Sequence, residues 1–373
     1  MLAIRPITPK LLKTYVYLPN KLYANDPLFV PPIYADEFKF HNPKHNEALQ
    51  YCITQKWLIF KDDVPVGRIM GIIHPPYNKQ HGLKEARFYQ LDCINDLEVM
   101  KALLNEVINW AKAHGMTSII GPYGFSDKDP QGYKTAGFEV RSVLLTPANP
   151  EYLPQFLLQY GFHPHVQALS YHLPIPEQLP GIYKAVCERA QKQGYFKTLK
   201  LTSKKQLKPF IIPVLHLVNK TYSHLFGFVA MTDEEIHKLA KQYLPILDPT
   251  LVKVVVDPKQ EVVGFVVSMP DISEALQKAK GKLFPFGLFY LLKALKTSKK
   301  LVLLLGAVEP GLRGRGVTAL LADALLTTAK EKWMTEIDSH VILDSNELMK
   351  AEVVNLGGYI NKEFTVFKLE WNA

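Results

Sequence analysis

One short loop combines the residue types that proteins use to hold an anion. Val308-Glu-Pro-Gly-Leu-Arg-Gly-Arg-Gly-Val-Thr318 follows the apolar run Leu301–Ala307 and leads into the apolar-periodic segment Val317–Lys332. This order predicts a buried strand, a loop and a helix. The backbone N–H groups of such a loop lie at the positive end of the helix, so together they can bind a phosphate.

The glycines and arginines of this loop fit that chemistry. Gly314 and Gly316 allow phosphate oxygens to approach the backbone closely, and Arg313 and Arg315 can supply charge-assisted hydrogen bonds. A tight turn with solvated arginines is the alternative, but the strand–loop–helix context favours an anion site. The P-loop and dinucleotide-binding patterns are both absent.

The elements around this loop belong to a repeat that runs through the whole chain. Two β-hairpins with polar turns are predicted, one around Lys61–Arg68 and one around Pro258–Phe265. Each has a glycine early in its outgoing strand, Gly67 in the first half and Gly264 in the second. Gly161 then follows Gly67 at nearly the distance at which Gly357 follows Gly264, each as the stop signal of a helix.

Two homologous units are therefore predicted, each an α/β or α+β domain with a mixed sheet. The first spans residues 1–178, a linker with a connecting helix spans 179–196, and the second spans 197–373. The main differences are two added helices within Pro270–Lys300 and a long loop at Pro122–Phe138.

Composition restricts the class of protein. With 373 residues, 47% hydrophobic and 21% charged, the chain is globular and long enough for two cores. The net charge of +9 suits an anionic ligand, and the short lysine runs lack the interleaved aromatics of a nucleic-acid patch.

Cysteine usage and hydropathy indicate a compartment. Cys52, Cys93 and Cys187 are widely separated and odd in number, so we expect neither disulfides nor a metal site. The sequence predicts no signal peptide and no membrane span, so a cytoplasmic protein is expected. The oligomeric state cannot be read from the sequence.

The loop Arg313–Thr318 resembles the acetyl-CoA pyrophosphate loop of the GNAT acyltransferase superfamily, whose pattern is [QR]-x-x-G-x-[GA], although Thr318 stands in place of the final Gly or Ala. Asn346, between a predicted strand and helix, matches the asparagine of that superfamily beside the pantetheine arm. The resemblance covers Lys197–Trp371 well and residues 1–178 more weakly, so the chain resembles bacterial proteins with tandem GNAT-like folds.

The resemblance implies a set of site residues. An acyl-CoA such as acetyl-CoA would be the co-substrate, with no metal. Gly306, Ala307 and Val308 would bond the pantetheine amides. The pyrophosphate would be held by the loop residues Arg313, Gly314, Arg315, Gly316, Val317 and Thr318. We expect Gly316→Glu to abolish CoA binding while leaving the protein folded.

Three departures from the superfamily pattern concern catalysis and the first unit. Val353 stands where many members carry a tyrosine general acid, and Leu301–Ala307 lacks their glutamate base. In the first unit, Asn95–Met100 aligns with the pyrophosphate loop but has two carboxylates and no glycine. We therefore expect the first unit to bind no CoA, and to help form a shared cleft.

Four other residues are candidates for contact with substrate. His340, predicted on a strand with Asp338 and Ile342 on one face, has a suitable titration range for a general base, although a structural histidine is the alternative. Tyr222 and His224 lie where early helices of the superfamily line the acceptor cleft, and Tyr123 begins the long loop.

Three functions fit these observations. The first is an acyl-CoA-dependent N-acyltransferase acting on a small-molecule or peptide amine. The second is a CoA-binding protein without catalysis. The third is an aminoacyltransferase that uses charged tRNA, since such enzymes also have tandem folds of this type. The pyrophosphate loop favours the first two.

Overall fold

The computed structural model describes residues 1–371, apart from the side chain of Gln242. Its strands are β1 (Leu2–Pro6), β2 (Ile53–Lys61), β3 (Val64–Ile73), β4 (Glu85–Cys93), β5 (Ser118–Gly121), β6 (Tyr133–Ala136), β7 (His163–Pro174), β8 (Lys197–Thr198), β9 (Val252–Val256), β10 (Val262–Pro270), β11 (Lys300–Val308), β12 (Glu336–Ser339), β13 (Ile342–Leu343) and β14 (Tyr359–Glu370).

The α-helices are α1 (Leu12–Leu22), α2 (Tyr34–Phe40), α3 (Ala48–Tyr51), α4 (Pro75–His81), α5 (Leu97–Ala113), α6 (Tyr152–Tyr160), α7 (Gly181–Gln193), α8 (Lys204–Tyr222), α9 (Asp233–Tyr243), α10 (Ser273–Ala279), α11 (Gly287–Thr297), α12 (Val317–Glu331) and α13 (Glu347–Asn355). Short 3-10 helices occur at Pro249–Leu251 and Pro310–Leu312.

A single mixed sheet runs through both units. Its order is β1-β2-β3-β4-β5-β14-β7-β12-β11-β10-β9-β8, with β6 and β13 as side branches. Strands β4 and β5 pair in parallel, as do β11 and β12, and the hairpins are antiparallel. Counted from the two outer edges toward the centre, the halves have the same strand order, β1 to β5 in the first and β8 to β12 in the second. The sequence repeat predicts this symmetry.

The last strand of each unit completes the sheet of the other. β14, at the end of the second unit, pairs with β5 of the first. β7, at the end of the first unit, pairs with β12 of the second, and β7 and β14 pair with each other from His163↔Lys368 to His172↔Tyr359. This exchange makes the two units one continuous structure.

Buried charges lie where the exchanged strands meet. The carboxylate of Asp338 on β12 accepts from Nζ of Lys362 on β14 at 3.3 Å and contacts Nδ1 of His172 on β7 at 2.8 Å. Burial acts to raise the pKa of Asp338, but Lys362 and Lys300 outweigh it and hold that pKa below its usual value. A charged aspartate is therefore retained at the junction.

Helices cover both faces of the sheet and bury an apolar stripe against it. Helix α5 does so with Val99, Leu103 and Val107, and α12 lies at the equivalent place in the second unit. Gly67 and Gly264 allow this packing, since a Cβ on Gly264 would lie 2.6 Å from Cγ1 of Val317. The repeated glycine thus marks the close approach of helix and strand.

Several boundaries differ from those predicted. The first strand of the second unit, predicted over Lys197–Thr202, is reduced to Lys197–Thr198, and the long loop of the first unit contains strand β6. The predicted strand Asp338–Leu343 is interrupted, because β12 ends at Ser339 and β13 begins at Ile342. His340 therefore lies in a break between strands.

Candidate functional site

Strands β11 and β12 diverge beside the arginine–glycine loop. They pair from Lys300↔Glu336 to Leu303↔Ser339, and the His340 amide then donates to the Leu303 carbonyl at 2.8 Å. Beyond this point β12 ends while β11 continues to Val308. One edge of β11 is therefore left open for a ligand with an extended amide chain.

Tyr222, at the end of α8, occupies part of this opening. Its hydroxyl donates to the Gly306 carbonyl at 3.0 Å and accepts from the Gly306 amide at 3.3 Å. Burial raises the pKa of Tyr222 to about 12, so the hydroxyl stays protonated. Gly306, predicted to bond pantetheine, therefore already has a partner.

The alternation of β11 indicates which other groups face the opening. The Glu309 amide donates to the Val263 carbonyl of the hairpin at 2.8 Å, so Glu309 faces β10. Because successive residues of a strand direct their backbone groups to opposite sides, those of Val308 face the opening, and those of Ala307 face β10. Ala307 is thus a poor partner for pantetheine.

The arginine–glycine loop forms a concave set of N–H groups at the start of α12. Within residues 1–371 the amides of Gly314, Gly316, Val317 and Thr318 donate to no acceptor, and α12 has no side-chain cap. A Cβ on Gly314 (φ 73°) would meet only open space. Unpaired amides at a helix N-terminus bind anions, so the geometry fits a diphosphate.

The loop arginines add positive charge to this seat. Arg313 and Arg315 are exposed, and Thr318 is half-buried in the first turn of α12. Glu309, the nearest loop carboxylate in sequence, is held by Lys220 at 2.6 Å. The local field therefore favours an anion.

The prediction for Gly316 needs correction. Gly316 is buried, and a Cβ on it would lie 2.8 Å from the Cβ of Ala190 on α7. Its φ of 91° is also in the left-handed region. Gly316→Glu would therefore disturb the contact between α7 and α12, and it cannot serve as a test of binding alone.

Asn346 has a structural contact in the protein. Its Oδ1 accepts from the Met349 amide at 3.3 Å and caps α13. Val353, on the same helix, is buried in the core. As a valine, it has no proton to supply as a general acid. The role of Asn346 toward pantetheine stays a prediction.

An apolar cavity of about 340 Å³ lies between the two units, next to the diverging strands. Leu304, Leu305 and His340 form part of its wall, and strands β7 and β14 contribute aliphatic and aromatic side chains. The wall from α8 consists of Leu207, Ile211, Val214, Leu215, Val218 and Tyr222. Of these residues the sequence analysis singled out only Tyr222. It missed the five aliphatic residues of α8, because apolar positions at helical spacing are also typical of an ordinary core.

The long loop of the first unit closes part of the same cavity. Asp127, Lys128 and Gln131 line it, and the Asp127 carboxylate accepts from the Val229 amide at 3.2 Å. Burial raises the pKa of Asp127. The first unit therefore shapes a cleft shared with the second.

His340 faces the cavity with one nitrogen engaged. Its Nε2 lies 3.0 Å from the Leu145 carbonyl oxygen, which can only accept. Nε2 must then carry the proton, and Nδ1 has the free lone pair. Burial lowers the pKa of His340 below its usual 6.5, so the ring is neutral near pH 7.

Two other predicted substrate contacts lie outside the cavity. Tyr123 is fully buried, and its hydroxyl donates to the Gly227 carbonyl at 2.7 Å, where it ties the first unit to the second. His224 is exposed just beyond the end of α8. Neither residue lines the cavity.

In the first unit, the edge of β4 that corresponds to the open edge of β11 is occupied by side chains. The Leu91 and Cys93 carbonyls of β4 accept from the hydroxyls of Tyr133 and Tyr152 at 2.5 and 2.6 Å. At the N-terminus of α5, the Asp96 carboxylate caps the Glu98 amide at 3.1 Å. A side-chain carboxylate thus stands where a diphosphate would bind.

Within residues 1–371 no cluster of histidine, cysteine and acidic side chains could hold a metal ion. In the same residues no helix combines the length and hydropathy that crossing a bilayer requires. The three cysteines are free and buried.

Comparison with known proteins identifies the fold. No protein-family profile matches the chain. Over its whole length the structure resembles a tandem GNAT protein from the clavulanic acid biosynthesis pathway, with a TM-score of 0.57, 13% identity, and coverage of 100% of this chain and 99% of the other. The protein therefore has a tandem GNAT-like fold of the α+β class, as the sequence predicts.

Two proteins are similar in sequence to the chain over nearly its whole length. Protein YghO of Escherichia coli is 24% identical over 364 residues, covering 96% of this chain and 92% of YghO. A bacterial ceramide synthase of Caulobacter vibrioides is 24% identical over 375 residues, covering 98% and 97%.

Proposed function

We propose that the protein is an acyl-CoA-dependent N-acyltransferase that transfers a long, apolar acyl chain to an amine. The observation that carries this proposal is the apolar cavity beside the open edge of β11. The diphosphate seat lies at the end of the same strand, so one ligand can occupy both.

The size of the cavity favours a chain much longer than acetyl. A cavity of about 150 Å³ accommodates benzene, so by proportion 340 Å³ holds on the order of a dozen carbon atoms. Its aliphatic and aromatic walls offer an acetyl group few contacts, but they remove a fatty chain from water. The volume is also within the range of small-molecule sites.

The binding of CoA is assigned to the second unit. The free amides of Gly314, Gly316, Val317 and Thr318 and the two exposed arginines would hold the diphosphate, and Val308 would pair with the pantetheine arm. Bound in this way, the thioester supplies an activated acyl group at the cavity. The filled opening and capped helix of the first unit support its having no such role.

His340 is proposed as the general base. Attack by the amine nitrogen on the acyl carbon forms the amide bond and breaks the carbon–sulfur bond. The proton lost by the amine passes to Nδ1 of His340, and the sulfur departs as the CoA thiolate. The depressed pKa keeps Nδ1 free to accept that proton.

The acceptor is proposed to be an amphiphilic amine. A ceramide is a fatty amide of a long-chain amino alcohol, and the similarity to a bacterial ceramide synthase extends over nearly the whole chain. The shared cleft between the units places apolar walls and the polar loop residues Asp127, Lys128 and Gln131 around one space. Since the acyl chain would occupy the apolar part of this space, the polar loop residues would contact the amino alcohol head of the acceptor.

A chain-length series tests the proposal. Thiol release with a long-chain amine is expected to be at least about tenfold faster with long-chain acyl-CoA than with acetyl-CoA. Ala168→Phe, which adds a ring inside the cavity, should shift the preference to shorter chains. Gln167→Phe adds the same ring at the adjacent exposed position and should leave the preference unchanged. Equal rates for all chain lengths would contradict the proposal.

A second pair of variants tests where CoA binds. Thr318→Glu places a carboxylate in the first turn of α12, which stabilises the helix by about 0.3–1 kcal/mol but repels a diphosphate. CoA should raise the melting temperature of the wild type and of Leu97→Glu, which adds a carboxylate at the first residue of α5, but not of Thr318→Glu. No effect of CoA on the wild type would instead favour the tRNA-dependent alternative.

A further inference from the structure

An exposed apolar surface extends from the insertion between β10 and β11. The side chains of Phe284, Phe286, Phe289 and Leu292 are 77%, 70%, 65% and 51% exposed. They lie within nine positions of one another, on α11 and the turn before it. Large apolar side chains grouped in this way mark an interaction surface.

Lysines surround these side chains. Lys280, Lys282, Lys293, Lys296 and Lys299 are all exposed. In the part of the chain that the structure describes, none of the five forms an ion pair, whereas the neighbouring Lys278 is paired with Glu274 at 2.7 Å. The surface is therefore positively charged as well as apolar.

The insertion is fixed to the body of the protein. The Gln277 side chain donates to the carbonyls of Pro27 and Phe29 at 2.9 and 2.8 Å. The Tyr34 amide donates to the Gly281 carbonyl at 3.0 Å, and a Cβ on Gly281 would lie 2.3 Å from the Pro32 carbonyl oxygen. The apolar side chains are thus presented from a rigid base formed with the first unit.

This combination matches the chemistry of an anionic lipid surface. Aromatic and leucine side chains insert at the boundary between headgroups and acyl chains, and lysines extend to the phosphates. With 11 residues, α11 is too short to span a bilayer but can lie in its interface. We propose that Phe284–Lys299 docks the protein on an anionic membrane.

The docking proposal is independent of the acyltransferase proposal, because none of these residues belongs to the cavity or the diphosphate seat. Docking on a membrane would give the cavity access to substrates that reside in the membrane. It also predicts that soluble-substrate turnover and membrane binding can be separated by mutation.

Vesicle flotation with the full-length protein tests the inference. Binding is expected to vesicles of phosphatidylcholine mixed with phosphatidylglycerol, and to be at least about tenfold weaker to phosphatidylcholine alone or at high salt. Phe284→Ser/Phe286→Ser/Phe289→Ser and Lys293→Glu/Lys296→Glu/Lys299→Glu should each lose binding while keeping the melting temperature. Trp333→Ser, which removes an 82% exposed aromatic elsewhere, should bind like the wild type.

Two results would overturn the inference. One is equal binding by the wild type and the triple serine variant. The other is a wild-type dimer in light scattering that the serine variant converts to a monomer, together with no flotation, since the surface would then join two copies of the chain.

Discussion

The hydroxyl of Tyr222 forms hydrogen bonds with both the N–H and the carbonyl of Gly306. It satisfies an N–H and a carbonyl that face the opening beside β11, where buried backbone groups need partners. A pantetheine arm that pairs with β11 needs the same two groups. We therefore propose that the Tyr222 hydroxyl is a stand-in partner for Gly306 that an incoming pantetheine arm would displace.

Tyr222→Phe tests this relation. The variant leaves both Gly306 groups without a partner, so the free protein should lose about 1–3 kcal/mol of stability. CoA should then bind several-fold more tightly, because no hydroxyl competes for Gly306. Calorimetric melting and a CoA titration measure the two effects. Weaker CoA binding in the variant would show that the hydroxyl contacts the ligand instead.

His340 makes the pH dependence of turnover predictable. A base must be deprotonated to act, so kcat/KM should rise as the pH increases through the pKa of His340, and rise again toward the pKa of the acceptor amine, which must be neutral to attack. Because burial lowers the pKa of His340, the first rising limb should lie below pH 6.5. His340→Gln should lose about 10²- to 10⁴-fold in kcat together with the first limb. A first limb that persists in His340→Gln would assign the proton transfer to another group.

The contact between the loop and α7 explains why two neighbouring glycines are not equivalent. Gly314 borders open space, and Gly316 borders Ala190 on α7. The sequence pattern G-x-G gave no means of distinguishing them, since α7 lies more than a hundred residues earlier in the chain. Long-range packing of this kind cannot be predicted from local spacing.

Alanine at each glycine separates the two roles. Gly314→Ala should cost about 1–2 kcal/mol, the penalty of a left-handed residue. Gly316→Ala should cost more, because its methyl group also overlaps that of Ala190. Urea unfolding of both variants measures the difference. Equal costs would mean that α7 moves aside freely.

Some elements of the fold could be predicted from the sequence and others could not. The hairpins, α12 and the loop before it followed from periodicity and glycine placement, and all occur in the structure. The break at His340 did not, because the residues around it are apolar or short and fit a continuous strand. The sequence predicts a shared cleft but not its apolar cavity, since the wall of the cavity consists of residues that look like core until their neighbours are known.

The exchange of the last strands, β7 and β14, makes the sheet of each unit depend on the other unit. β5 and β12 each depend on a strand from the other unit. The predicted division at residues 178 and 197 follows the sequence repeat, but a cut there would leave each half with an unpaired sheet edge. Such edges promote aggregation.

Separate expression of residues 1–178 and 197–373 tests this dependence. Each half alone should be insoluble or aggregated, and the two should co-purify as a one-to-one complex when expressed together. Size-exclusion chromatography with light scattering distinguishes these results. A half that is monomeric and unfolds cooperatively by itself would show that the exchanged strand is dispensable.

The second unit alone is expected to hold CoA, with the acyl chain in the cavity between the units. A crystal structure with a non-hydrolysable long-chain acyl-CoA thioether examines both expectations at once. We predict the diphosphate on the amides of Gly314–Thr318 and the chain between α8 and the central strands β7 and β14. A diphosphate at the N-terminus of α5, or a chain directed into solvent with the cavity empty, would contradict them.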